Sequence, residues 1–349
     1  MVKLHVFNPE HDLALAADLS NFTAPHAGRQ LRADLGYILA LWAGDDDLVL
    51  VENVEDAEWR YRLLTHRPFG RFLSKEQIAR AAIEAVEVWG WDKAVCTFLL
   101  RHGVAEQLLP SVDQLDEIRK LSHRRCAQIL LAQLQVDGTT GEALYLDSLE
   151  MVLEHLNTVG KMVVKAPWSS SGRGVRFLEG NMNCYDKGWA RNIIDRQGSI
   201  MIEPYYNKVK DFGMEFESDG EGHVTYLGLS LFHTSNGAYT GNVLADEEDK
   251  LEMISHYIPV TLLDDTRQRV SLLTGDFFKG KYKGPFGIDM MIVAREDKEG
   301  FLLHPCVEIN LRRTMGHVAL SLTRQLKGLP MVMNIEYDKN IYKLKLRKL

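Results

Sequence analysis

The chain opens on KLHVF (3–7), whose apolar alternation predicts a short strand, and breaks at once into the polar loop NPEHD. From Arg29 to about Trp42, the residues Leu31, Leu35, Ile38, Leu39 and Trp42 recur at helical spacing. DDDLVLVEN then predicts a second strand near 47–51, closed by the polar pair Glu52 and Asn53. Strand, helix and strand in that order point to a small parallel α/β unit. Helical patterns follow at about 74–88, after Ser74, and at 111–119.

After residue 120 the texture changes. Helices are expected from about Ser122 to Leu134 and from Asp147 to about Asn157. KMVVK and GVRFL, between 161 and 178, read as strands flanking a loop of serine and glycine. Further strands are expected at 199–203, 211–217 and 223–232, then a helix over roughly 260–279. A hairpin joins 286–293 to 301–310, and a last helix begins near Thr314 or Met315. The closing KLKLRKL reads as an edge strand, where lysines discourage aggregation. The fold class expected is α/β (α+β), with no internal repeat and no low-complexity linker.

Composition narrows the choice of function. A length of 349 residues suits two or three domains. Net charge is −7, with no basic cluster before the last few residues, so the footprint of a nucleic-acid binder is missing. Cys96, Cys126, Cys184 and Cys306 form no C-x-x-C pair, which argues against a zinc site or disulfide framework. No apolar run approaches the ~18 residues that span a bilayer, and no signal-peptide pattern opens the chain. A soluble, cytoplasmic protein with no membrane partner is expected.

Three stretches carry candidate chemistry. In VVKAPWSSSGRGV (163–175) a strand ends at Lys165, and Ser169, Ser170, Ser171, Gly172 and Gly174 form a loop before the next strand. Glycines let the backbone approach a ligand, successive N–H groups can nest phosphate oxygens, and Lys165 adds a point charge. An ordinary hairpin with an extended lysine reads the same way. No Gly-Lys-Ser/Thr follows, so this is not a Walker loop.

The second stretch pairs GIDMMI (287–292) with HPCVEINLRR (304–313). Glu308 and Asn310 leave one face of a strand, and a hairpin turning at Lys298–Glu299 sets Asp289 roughly opposite Glu308. Cross-strand neighbours lie about 5 Å apart, close enough to share a cation. Two carboxylates and an amide oxygen suit magnesium, which keeps water and phosphates in its other positions. Such alternation also describes a solvated face, but Ile288, Met290, Val307 and Ile309 around it are apolar. The third stretch is Arg312 and Arg313. Continued alternation sets Arg312 on the face of Glu308 and Asn310, either to neutralise a phosphoryl group in flight or to balance the carboxylates.

With Lys165, the serine-glycine loop, IEPY (202–205), Asp289 and EIN (308–310) in this order, the chain resembles the ATP-grasp superfamily. The arrangement is similar to that of D-alanine–D-alanine ligase and its relatives, over about residues 118–325. The resemblance implies an N-terminal parallel α/β (pre-ATP-grasp) domain at 1–117, a small lobe at 118–197 and a C-terminal lobe at 198–349. It implies ATP and Mg2+ as cofactors, with Asp289, Glu308 and Asn310 on the metal and Arg312, Arg313 and Lys165 as catalytic residues. Lys165 contacts the phosphates, with the 169–174 loop closing over them. Arg124 takes the second phosphate contact, where relatives often carry a lysine. Glu203 lies at the adenine with Tyr205 nearby, and Asp211 holds the ribose, at a slightly different spacing.

FHTSNGAYTGN (232–242) has no family counterpart. It reads either as a surface loop or as a substrate lid through His233, Tyr239 and Asn242. Glu10, His11 and Asp12 follow the first strand, where open parallel sheets bind ligands, though helix capping is an equal account. His317 has the same standing. The activity implied is ligation of a small-molecule carboxylate to an amine, or less often a thiol, through an acyl phosphate. A phosphotransferase on the same fold and a non-catalytic ATP-binding regulator stay open, as do the substrates and a homodimer.

Overall fold

The structure is a computed structural model that describes residues 1–169, 174–235, 238–297, 299–325 and 330–349. The chain divides into two units: Met1–Arg119 with Thr240–Asp246 and Leu311–Leu349, and Lys120–Tyr239 with Glu247–Asn310.

In the first unit, strand Lys3–Val6 pairs in parallel with Leu48–Leu50 on one side and Ala85–Val88 on the other. Arg71–Leu73 extends the sheet beyond Leu48–Leu50. The helix expected at 29–42 is an α-helix over His26–Leu35 that tightens into a wholly buried 3-10 turn at Gly36–Leu41. The expectation of a helix at 74–88 is corrected. Lys75–Arg80 is a 3-10 turn, and Ala85–Val88 is a strand whose backbone is satisfied by Lys3–Val6.

Two further helices begin on side-chain caps. Asn53 accepts the Asp56 N–H at 3.0 Å before Val54–Leu64, and Asp92 accepts the Val95 N–H at 2.8 Å before Lys93–Arg101. The closing strands Met331–Asp338 and Ile341–Lys348 are antiparallel, with the last at an edge, and Met331–Asn334 pairs with Gly241–Leu244. One core joins residues distant in sequence, from Phe7 and Trp89 to Val318, Leu322 and Met333.

The second unit holds two antiparallel arrays. In one, Lys161–Lys165 lies between Ile200–Pro204 and Val175–Glu179, with Leu144–Leu146 beyond Ile200–Pro204. Helices Leu149–Val159 and Cys184–Gln197 pack against it; Val152, Leu156 and Ala190 meet Met162, Val164 and Ile202 in one core. Each helix starts on a cap, Ser148 or Asn183, and stops at a left-handed glycine, Gly160 (φ 74°) or Gly198 (φ 80°).

The other array runs Phe301–Asn310, Gly284–Ala294, Lys208–Ser218 and Val224–Ser235. Helices Arg124–Leu134 and Val260–Phe278 pack on it, and Phe286 stacks on Phe216 at 5.2 Å with its edge toward Phe278. Reading 232–242 as a loop is also corrected: strands run to Ser235 and resume at Ala238–Leu244. Backbone pairing outweighed the polar, glycine-bearing composition.

Candidate active site

The site grows from the hairpin of Gly284–Ala294 and Phe301–Asn310. Its register places Asp289 opposite Glu308 and Gly287 opposite Asn310. Two residues on, Met291 faces His304, so the 301–310 strand carries two residues more than its partner across this interval. Pro305 lies there and has no N–H to give to a ladder. Because the excess is two residues and not one, the faces are preserved: His304 and Glu308 both stand opposite the face of Asp289 and Met291. Asp289 also packs over Gly213 of the next strand, where a Cβ would lie 3.5 Å from its carboxylate.

Arg124 reaches this hairpin from the start of its helix. The side chain is 8% exposed, and Nη1 lies 2.7 Å from a carboxylate oxygen of Glu308. Its Nε donates to the Ala166 carbonyl at 3.0 Å and Nη2 to the Ser169 hydroxyl at 3.3 Å. One guanidinium thus ties an acid of the hairpin to the end of the lysine strand and the first residue of the serine-glycine stretch. Ser170, Ser171 and Gly172 lie outside the described residues. Gly174 is packed so closely that a Cβ there would come within 2.3 Å of Ser169.

Lys165 and Glu203 sit on adjacent strands and form an ion pair of 2.5 Å, with both side chains more than nine-tenths buried. Isolated, either charge would be costly at that depth; paired, each offsets the burial cost of the other.

Two groups that sequence reasoning passed over face the same place. His304 is 1% exposed, and neither ring nitrogen has a hydrogen-bond partner among the described residues. Burial pushes its pKa down to about 4, assisted by the charge of Lys165 and opposed by that of Glu203. The Cys306 thiol is pushed up, first by burial and then by the charges of Asp289, Glu203 and Glu308. Both lie in HPCVEIN at even spacing from Glu308, which is the signal that could have found them.

The remaining candidates are more dispersed. Asp211 accepts from Lys208 at 2.5 Å and from the Thr234 hydroxyl at 2.6 Å. Tyr205 is 43% exposed and lies beneath Lys161, 3.9 Å from ring centroid to Nζ, at the other end of the lysine strand from Lys165. His233 has its pKa lowered by burial and by the Lys210 charge. Tyr239 is pushed up by burial, and Asn242 is fully buried in the strand beside Met333.

Within the first unit, Arg312 forks onto Asp12, at 3.1 Å from Nε and 2.8 Å from Nη2. The strand ends at Asn310, so the alternation expected to carry Arg312 onto the face of Glu308 stops two residues short. Arg313 pairs with Glu87 at 3.2 Å and lies over the Trp42 ring. His317 caps the last helix, its Nδ1 accepting the Thr314 N–H at 3.1 Å. His11 and Asp92 are hydrogen-bonded at 3.1 Å.

The donor set fits a hard cation. Asp289, Glu308 and Asn310 can each present an oxygen, and a cation there would share the Glu308 carboxylate with Arg124. Among the described residues, no three His, Cys, Asp or Glu side chains gather closely enough to hold a metal ion, so a cation here would rest on Asp289 and Glu308 with the Asn310 amide oxygen. No helix among them is long and apolar enough to cross a membrane.

No family model matches the chain, and no curated protein sequence matches it. Solved structures do. Carboxyaminoimidazole ribonucleotide synthase from Aspergillus clavatus, complexed with ATP, superposes with a TM-score of 0.51 at 12% identity, over 95% of this chain and 81% of that one. Biotin carboxylase from Campylobacter jejuni, as a beta-gamma-ATP complex, gives 0.51 at 14% identity, over 97% and 77%. N5-carboxyaminoimidazole synthetase from Staphylococcus aureus, complexed with ADP, gives 0.50 at 13% identity, over 97% and 83%. At such low identity the likeness establishes architecture alone: this chain shares the mixed α/β fold of these structures, consistent with ATP-grasp architecture.

Proposed function

We propose that the chain is an ATP-dependent ligase that activates a small carboxylic acid as its acyl phosphate and passes it to an amine, releasing ADP and phosphate. The observation that carries this reading is the reach of Arg124, which joins Glu308 to Ala166 and Ser169. It draws the acidic hairpin and the end of the lysine strand into one site, in which Arg124 and Lys165 are balanced by Glu308 and Glu203 and stand ready to exchange those partners for a polyphosphate. The nucleotides named with the fold relatives, ATP and ADP, support the same choice. The expected lobes, 118–197 and 198–349, with a pre-ATP-grasp domain at 1–117, remain the organisation proposed. So does a cytoplasmic setting.

In the first step a carboxylate oxygen attacks the γ-phosphorus, the bond to the β-phosphate oxygen breaks and ADP leaves. In the second, the amine attacks the acyl carbon, phosphate departs and the amine loses a proton. Lys165 and Arg124 bind and orient the phosphates, and Asp289, Glu308 and Asn310 would hold Mg2+. When bound, that ion neutralises charge on the transferring group. Positioning and charge neutralisation then supply most of the catalysis. Glu203 holds the Lys165 side chain in place through their ion pair until nucleotide arrives.

ADP release on mixing Mg-ATP with candidate acids and amines is the direct test, and hydroxylamine trapping identifies the acyl phosphate as a hydroxamate. ADP formation without hydroxamate means a phosphotransferase; tight ATP binding with no ADP from any acceptor means a regulator. AMP as the product would sink the ligase reading. Glu308→Gln, which keeps a contact for Arg124, is expected to abolish turnover in a folded protein. Arg312→Met and Arg313→Met, made separately, distinguish a catalytic role from their pairing with Asp12 and Glu87.

A further inference from the structure

We infer that the first unit carries its own binding site for a small zwitterion, an α-amino acid or a similar amino-carboxylate, in the crevice at the carboxyl edge of its parallel sheet. This deepens the ligase reading, since it names the amine-bearing substrate class, but binding itself needs no nucleotide. The strand order reverses at Lys3–Val6: Leu48–Leu50 and Arg71–Leu73 lie to one side and Ala85–Val88 to the other. Open parallel sheets bind ligands outside the carboxyl ends of their strands at such a reversal.

Here the loops after Lys3–Val6 and Ala85–Val88 are locked together. Asn8 donates to the Gly90 carbonyl at 2.7 Å and to Asp92 at 3.0 Å, and accepts the Gly90 N–H at 3.2 Å. Beside this lock is a cavity of about 330 Å³, within the range of small-molecule sites and lined entirely by the first unit. Its buried lining is apolar apart from Asn8, Glu10 and Asp92, and Ser20, Asn21, Thr23, Thr97 and His102 add polar groups nearer solvent.

The polar groups divide in two. Arg29, Lys75 and Arg101 are exposed around the cavity, with Arg32 paired to Glu10, against a single exposed acid in the described lining, Glu52, so the rim favours an anionic end. Glu10 is 7% exposed. One of its oxygens accepts from Arg32 at 2.6 Å, while Oε2 is buried with no hydrogen-bond partner among the described residues. A buried carboxylate oxygen without a partner calls for a donor from the ligand, and a primary ammonium is the strongest match. A plain dianion such as phosphate satisfies the rim but sets like charge against Glu10. A molecule with a carboxylate and an ammonium a few bonds apart satisfies both.

The test is calorimetry on the full chain without nucleotide, titrating L-alanine, L-glutamate and L-lysine, then propionate, ethylamine and inorganic phosphate. Saturable binding of at least one amino acid is expected, at least tenfold tighter than propionate or ethylamine. Glu10→Gln is expected to weaken it tenfold or more and to erase the preference of the wild type for L-alanine over propionate. Arg101→Met, at an exposed position that does not threaten folding, is expected to weaken the amino acid and propionate alike. If Glu10→Gln does not fold, Arg101→Met alone carries the test. No saturable heat with any amino acid, unchanged affinity in Arg101→Met, or phosphate binding as tightly as the best amino acid overturns the inference. ATP turnover is read separately, so either conclusion can fail alone.

Discussion

His304 offers a stability test that needs no substrate. An imidazole is ordinarily half-protonated near pH 6.5; this one, buried beside Lys165 and Glu203, is brought down to about 4. Between these values the unfolded chain binds a proton that the folded chain refuses, so stability falls as pH falls through that window. Above it both forms are neutral, and below it both are charged. At roughly 1.4 kcal/mol for each pH unit of difference, the whole effect is about 3 kcal/mol, most of it expressed by pH 4.5. The perturbation is His304→Leu, which fills the position with apolar atoms and removes two ring nitrogens that lack partners among the described residues. Urea midpoints at pH 7.5 and 4.5 for both proteins give the difference, in which the titrating carboxylates common to the two largely cancel. The wild type is expected to lose about 2–3 kcal/mol more than the variant over this range. Equal losses in both proteins, or a His304 ring titrating near 6.5 by NMR, would refute the reasoning.

Lys165→Met leaves Glu203 charged and buried, and should cost about 3–5 kcal/mol by urea unfolding; the double change Lys165→Met with Glu203→Leu should recover most of it. Gly174→Ala drives a methyl group to within 2.3 Å of Ser169 and 3.1 Å of Ala166 Cβ. A loss of about 1–3 kcal/mol is expected, with several-fold weaker Mg-ATP binding by calorimetry as Ser169 is displaced. Asp92→Ala strips a helix cap and the partner of Asn8 and His11 together, for a loss of about 2 kcal/mol or more, whereas Asp92→Asn keeps the cap and should cost less by the same melt.

That Asp289 and Glu308 share a face is legible in the sequence, because a slip of one residue would turn the apolar face outward, but their direct opposition depends on the two-residue excess around Pro305, which the strand pattern does not show. The ion pair of Lys165 with Glu203 is not legible, since it depends on which strand lies beside 161–165, a choice made by packing. Arg124 stands out as a basic residue at a helix start, but its reach to Glu308, far along the chain, belongs to tertiary structure. AIEAVEV (82–88) contains good helix formers and alternating valines together, and strand pairing decides between them. Helices 93–101 and 184–197 do announce themselves, through Asp92 and Asn183, to a reader who looks for caps before periodicity. The zwitterion crevice was foreshadowed only by Glu10, because the rim arginines are scattered from 29 to 101.

The discontinuity of the first unit bears on how the chain folds as it is made. Its core draws together Phe7, Trp89, Leu244, Val318 and Met333, so residues around Phe7 must wait for residues made more than 300 positions later. The second unit, closing at Asn310, has all its strands before that point. Vectorial synthesis therefore favours completion of the later-starting unit first, with Lys3–Val6 and its neighbours exposing apolar surface meanwhile. Ribosome-stalled chains halted after residue 310, with enough added linker to clear the exit tunnel, should protect 120–310 from protease while leaving 1–119 open to cleavage.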